Sequence, residues 1–413
     1  MTASRVSGNI PRVQNPSPDR VPGASEDTGA RLGFALFGYM LGVTLIITLM
    51  PFRFEAPSAS RILYTGEPIE VVANVLLFLP LGFFYRIARP RLRSAWHALA
   101  IGALVSLGIE AVQFFEPARS PSPLDVATNA LGAWLGALAA GRVARAAASG
   151  GHLVGWLALQ LPLMGLIYLL VPLLWIDSLS AIGDGARLVL APLLAAFGAV
   201  LLGGMQRHYF APTQGAPPLR TAGYAAVWFV AGAFPALANR PIVVAAGAAA
   251  AAGVCWWYGS AAQRAEGNRR FEVALLTRAS PLYAAYLALI VLLPLRLGTD
   301  AWTLHLGFSP AMSHQREILR LLEIVAASTL AGYMLAELRG RTMLRYRDAL
   351  PRLAGWTLAL VGLVEAAWGF RTGHGASIAR AALMAAASLY GGWLYYLQRA
   401  HVVRLLSTRN GNR

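Results

Sequence analysis

Glu110 and Gln113 stand three residues apart, Asp125 and Asn129 stand four apart, and Arg119 lies between the two pairs. Spacings of three and four put each pair on one face of a helix. A single turn joining two helices would then gather a carboxylate, two amides, a guanidinium and a second carboxylate at one corner. Two chemistries suit such a set. One is recognition, with the amides as hydrogen-bonding groups and the guanidinium clamping a phosphate or carboxylate. The other is general-base catalysis, with Glu110 or Asp125 drawing off a proton. Arg53, just after Pro51, and Asn74, four residues past Glu70, are the other polar groups expected to reach this corner. No nucleophile–base pair and no phosphate-binding glycine loop accompanies them, so no catalytic set is assigned. His305, His314 and His374 lack ligand spacing, and neither a metal nor a cofactor is expected.

The elements that must position this corner are set by composition. Apolar residues are 57% of the 413 and charged residues 13%, too little charge to cover a soluble domain of this size. With about 20 apolar residues needed per crossing, twelve spans are expected. They fall near 32–51, 69–88, 95–116, 124–145, 152–176, 186–206, 219–238, 240–258, 279–297, 316–337, 349–370 and 377–398. The fold class is therefore an all-α, polytopic transmembrane helix bundle. Net charge is +16, and every basic residue is arginine. No basic stripe interleaves with aromatics, so nucleic acid is not a partner; membrane lipids are. Loops on the side of the N-terminus carry 25 arginines and the opposite loops 9, which places both termini in the cytoplasm and the corner at 110–129 outside. The lone Cys255 excludes a disulfide framework. Residues 1–31 form a polar tail without a signal sequence's apolar stretch, and 399–413 a second cytoplasmic tail.

Self-similarity divides the chain further. LIITLMPFRF (45–54) resembles ALIVLLPLRL (288–297), and SLGIEAVQFF (106–115) resembles ALVGLVEAAWGF (359–370). Arg119–Ser120 matches Arg371–Thr372, and ALGAWLGAL (130–138) loosely matches LYGGWLYYL (389–397). Four spans (32–145), four dissimilar spans (146–278) and a degenerate second copy (279–398) result, the outer two being parallel repeats. In the second copy Trp368, Ser377 and Ala381 stand approximately for Gln113, Asp125 and Asn129, and Glu365, near Arg371, is the best retained polar group. Structural roles compete throughout. Ser122–Pro123–Leu124–Asp125 reads as a helix start, with Ser122 as cap and Asp125 in the first turn. Glu110 is expected to pair with Arg119 or Arg53, and Glu323 with Arg320. Trp256, Trp257 and Tyr258 read as an interfacial belt. Arg339, Arg341, Arg345 and Arg347 read as an orientation signal touching anionic lipid.

Together LMPFRF, ANVLLFLPLGF (73–83), IEAVQFF and ARSPSPLDVATNALGAWLG resemble the VanZ-like family of bacterial membrane proteins. The shared positions are Asn74, Phe78, Pro80 and Gly82, then Glu110, Gln113, Arg119, Asp125, Asn129, Gly132 and Gly136. They cover about 32–145, with the echo in 279–398. The resemblance implies a bacterial inner-membrane protein of the cell envelope; the family's founding member is associated with low-level resistance to teicoplanin, a lipoglycopeptide antibiotic. It carries over no catalytic role.

The expected function is therefore binding of an envelope lipid, a lipid-linked or glycan precursor, or a glycopeptide-type ligand. The pocket would lie in the outer leaflet and use Arg53, Asn74, Glu110, Gln113, Arg119, Asp125 and Asn129. A membrane-embedded enzyme using Glu110 or Asp125 as base, or a secondary transporter, is the alternative.

Overall fold

The computed structural model describes residues 28–56, 67–92, 94–117, 119–148, 162–182, 184–210, 218–237, 240–260, 271–293, 302–308, 315–370 and 375–411. Residues 1–27, the segment 152–161 at the start of the fifth expected span, Pro294 and Arg296, His314, and Arg371, Thr372 and His374 lie outside them. Twelve α-helices occupy the described residues. They are α1 (Thr28–Leu49), α2 (Pro68–Ala88), α3 (Trp96–Gln113), α4 (Pro123–Ala148), α5 (Met164–Ile182) and α6 (Leu190–Phe210). The series continues with α7 (Pro218–Leu237), α8 (Pro241–Ser260), α9 (Phe271–Leu292), α10 (Gln315–Leu335), α11 (Tyr346–Gly369) and α12 (Ile378–Gly411). Nine helical stretches among the described residues are long and apolar enough to cross a membrane. The protein is an all-α membrane bundle. Helices are the open-chain answer to a solvent that cannot hydrogen-bond the backbone, since each one satisfies its own N–H and C=O groups.

Three departures of the helix bounds from the hydropathy reading stand out, the first two with a polar reason. α5 continues past Asp177 to Ile182 because that carboxylate is buried among partners and does not end the span. α9 begins at Phe271, where Glu272 is held by Arg341. α12 runs on to Gly411, so residues 399–411, expected in a tail, are helical. A short parallel pairing of β1 (Leu304–His305) with β2 (Ala376–Ser377) is the one strand pairing among the described residues.

In the first four helices α4 packs against both α2 and α3, and α1 leans on α2. The α2–α4 crossing is backbone to backbone. A Cβ at Gly82 would stand 1.7 Å from the Ala133 carbonyl oxygen, and one at Gly136 would stand 1.9 Å from that of Leu79. Without a hydrophobic drive between helices in lipid, close approach of this kind supplies the packing energy. The α10–α12 crossing repeats it. A Cβ at Gly332 would lie 1.7 Å from the Ser388 carbonyl oxygen, and one at Gly391 would lie 1.8 Å from that of Thr329. The two outer units meet at α1 and α12, where Tyr390 donates to the Ala35 carbonyl at 2.8 Å and its ring stacks on Tyr39. The middle helices are a tight group of their own, with α8 against α6 and α7, and α5 against α7. α9 packs chiefly on α6, so it does not mirror α1.

The crossings generate a prediction. Gly136→Ala and Gly391→Ala should each lower stability by about 1–3 kcal/mol through overpacking, whereas Gly38→Ala, with nothing within 4 Å, should be neutral or stabilising. Thermal unfolding of the purified protein in detergent checks the contrast.

Candidate functional site

The corner between α3 and α4 is assembled by carboxylates that hold backbone N–H groups. The first N–H groups of a helix have no intrahelical acceptor. At α4, Ser122 N–H donates to Glu110 Oε2 at 2.9 Å, while the Ser122 carbonyl accepts from Asp125 N–H and Val126 N–H. The expected serine cap is thus corrected: Ser122 Oγ is buried without a partner, and Glu110, twelve residues upstream, does the capping. The expected ion pair is corrected with it, because Glu110 bonds a backbone amide rather than Arg119 or Arg53. Its other oxygen accepts no hydrogen bond among the described residues.

Gln113 works the opposite end of a helix. Its Nε2 donates to the Thr48 carbonyl at 2.8 Å, one of the last carbonyls of α1, which lack a partner within the helix. Asn129 is buried and donates to Ser106 Oγ at 2.9 Å, tying α4 to α3, with its own Oδ1 unpartnered. Asn74 Nδ2 donates to Asp125 Oδ1 at 2.9 Å, tying α2 to α4. Asp125 is therefore a cross-helix acceptor rather than a cap. Glu70 completes a capping box with Glu67, accepting its N–H at 3.2 Å.

One further carboxylate belongs to the corner and was missed in the sequence. Glu116 is buried, and its Oε2 accepts from Arg53 N–H at 2.9 Å. Glu55 N–H donates to the Phe115 carbonyl at 2.8 Å beside it. Phe52, at a left-handed φ of 61°, turns the chain so that these two bonds form. Glu116 sits in a turn between Phe115 and Pro117, where no periodicity marks it. Its i+6 distance from Glu110 was the only available cue.

The cations behave differently. Arg53 and Arg119 are exposed, and neither side chain makes an ion pair or hydrogen bond among the described residues. Arg119 interacts electrostatically with both Glu110 and Asp125, so its charge stands over the corner. Beside Arg53 an open apolar groove of about 570 Å³ runs between the loop and α3, lined by Phe54, Glu55, Ala56, Ala111, Val112 and Phe115. Five of the seven sequence-selected residues are thus joined into the framework of the corner, and the two arginines present charge outward. No group of His, Cys, Asp and Glu suited to a metal ion occurs among the described residues.

The second unit has a matching corner with its polarity closed. Ser377 N–H donates to Glu365 Oε2 at 2.8 Å, again across twelve residues. Three residues past Ser377, as Asp125 is three past Ser122, stands Arg380. Arg380 grips Glu365 through Nε at 2.7 Å and Nη2 at 2.5 Å, and lies over the Trp368 ring at 4.0 Å. Glu365 is paired with Arg380, and Arg371, expected near it, lies outside the described residues. The pairing of Glu323 is also corrected: it bonds Arg187 on the turn before α6, not Arg320. Arg341 of the basic loop is engaged by Glu337 at 2.6 Å and Glu272 at 3.0 Å.

Comparison with known proteins bears on the first unit alone. Residues 27–144 match the model of the VanZ/LLP1 family. No curated protein and no solved structure matches the chain. The matched segment spans α1 to α4, and so contains the whole Glu110–Ser122 corner.

Replacing Glu110 separates its two possible contributions. Glu110→Gln keeps an acceptor for Ser122 N–H and should retain most of the stability, whereas Glu110→Ala leaves that amide bare and should cost about 1–3 kcal/mol. Equal losses in denaturant unfolding would mean that charge, not the hydrogen bond, matters.

Proposed function

From the premise that residues 27–144 are a VanZ-like domain in a membrane-spanning protein, we propose that the corner binds an anionic lipid of the cell envelope. The class includes lipid-linked precursors, and the site lies in the outer leaflet. The observation that carries this reading is the separation of charge. Glu110 and Glu116 are turned onto backbone amides, while Arg53 and Arg119 stay exposed at the rim. A guanidinium presented this way pairs with phosphate oxygens. The groove at Phe54 and Phe115 lies next to Arg53 and accepts an acyl or prenyl chain, so headgroup and tail find partners side by side.

On this reading Asn74, Gln113, Asp125 and Asn129 hold the frame that aims the arginines, and the ligand itself meets Arg53 and Arg119. Residues 279–398 are a degenerate second copy whose corner Arg380 has sealed; the match of the Glu365–Ser377 and Glu110–Ser122 contacts supports it. The middle region, 146–278, is a separate membrane unit. The protein resides in the bacterial inner membrane with both termini cytoplasmic, a placement supported by the arginine asymmetry.

Binding of a polyprenyl phosphate and of phosphatidylglycerol to the purified protein tests the site. Arg119→Ala should weaken the tighter of the two by about tenfold, the worth of one charge-assisted contact, and Arg53→Ala should do likewise. Phosphatidylcholine should bind weakly to all three proteins. Unchanged affinity in both variants would sink the reading. Topology has its own check: a periplasm-active reporter fused at residue 413 should be silent, and one inserted at residue 118 active.

A further inference from the structure

Asp177 lies on α5 five residues before its end, and Glu323 on α10 eight residues after its start. Both are 1% exposed. Arg187, on the 3₁₀ turn Gly185–Val189, is 2% exposed and forms an ion pair with Glu323. The Tyr286 hydroxyl, from α9, donates to Asp177 Oδ1 at 3.0 Å. Glu323 is near enough to Asp177 to interact with it electrostatically. Asp177 Oδ2 nevertheless has no donor.

Ionised carboxylates only accept, so two of them cannot hydrogen-bond each other. Glu323, while ionised, therefore cannot serve the unmet Asp177 Oδ2, and a proton on one of the two acids would supply the donor that is lacking. Charge counting leads to the same point. One buried arginine against two ionised carboxylates leaves a net negative charge at membrane depth, and one proton removes it. Ionisable groups so placed are paired or carry protons or ions.

The remaining charged and titratable groups around the pair do not substitute for that proton. Arg320 on α10 interacts with Glu323 and Arg187, but also with Asp184 and Glu317 at the half-buried rim, whose charges offset it. Tyr283, on α9, stacks on Tyr286 with centroids 5.7 Å apart and gives its hydroxyl to the Ala327 carbonyl at 2.6 Å. Tyr39 of α1 lies beyond Tyr283, close enough to interact with it. None of these donates to Asp177 Oδ2.

We propose that Asp177 and Glu323 bind one proton between them, forming a proton-binding site where the middle helices join the second unit. Asp184, Glu317 and Arg320 link the site to the helix ends. Loss of the proton places two like charges near each other between α5 and α10, so the packing of these two regions is tied to proton occupancy. The step is protonation alone: a proton from water adds to a carboxylate oxygen, and no other bond changes. This site is independent of the lipid-binding corner.

Infrared difference spectroscopy of the full chain in lipid nanodiscs tests it through the carbonyl stretch of a protonated carboxylic acid, identified by its shift in heavy water. Wild type at neutral pH should show such a band, and Asp177→Asn and Glu323→Gln should each remove it, because the surviving carboxylate is then neutralised by Arg187. Tyr286→Phe removes no acid and should shift the band by removing a hydrogen bond. A wild-type spectrum without the band, or a band unmoved by all three changes, overturns the proposal.

Discussion

A backbone N–H at the start of a helix inside a bilayer has neither a helical carbonyl nor water to bond. Glu110 answers that demand for α4, from the far end of α3. The contact fixes the angle at which α4 leaves the turn, and the rest of the first unit follows. Once α4 is placed, Asn129 reaches Ser106 and Asp125 reaches Asn74, and Gly136 slides against the Leu79 carbonyl. A carboxylate is suited to this work because it accepts strongly and reaches across a turn. Its exposed flank is then shadowed by the nearby Arg119. Polar residues that read as a ligand set are therefore first a means of closing a helix start in a dry environment.

The corner at Glu365 and Ser377 shows the same contact with its charge paired inside the protein. Glu365 makes the same bond to Ser377 that Glu110 makes to Ser122. Replacing the acid at the third helical position by Arg380 turns the corner into a closed ion pair roofed by Trp368. A buried, bidentate pair of this kind has no unmet hydrogen-bonding demand for a ligand to satisfy. The backbone frame is kept, with Gly332 and Gly391 in the crossing, while the outward charge is lost. Frame and exposed charge are thus separable properties of the motif.

What was legible in the sequence follows the range of each interaction. Twelve helices in the expected order were readable because hydropathy and length act locally. Their ends were harder to place: the expected fifth span stops at 176, one residue before Asp177, although α5 carries that acid inside and runs to Ile182. Partners were less readable. Nearest-neighbour logic assigned Glu323 to Arg320 three residues away, and the bond is to Arg187, 136 residues away. It assigned Glu110 to a cation, and the bond is to a backbone amide that sequence does not display. The identities of the corner residues were visible; the direction of their bonds required the fold. Glu116, in a turn without periodicity, was marked only by its distance of six residues from Glu110.

The distribution of buried charge follows from the same constraint. Glu110, Glu365 and the Asp177–Glu323 pair all lie near helix ends, within about 12 Å of a terminus at 1.5 Å per residue. There each can serve an N–H group or a cation that the bilayer would otherwise strand. Two of these four carboxylates have both oxygens engaged, Glu365 by Arg380 and Ser377 and Glu323 by Arg187, while Glu110 has one oxygen on Ser122 N–H and Arg119 nearby. Asp177 is different, since Tyr286 serves one of its oxygens and nothing serves the other. A fully buried orphan oxygen that interacts electrostatically with a second buried carboxyl, in a helix that runs on past it, is an arrangement suited to a removable proton.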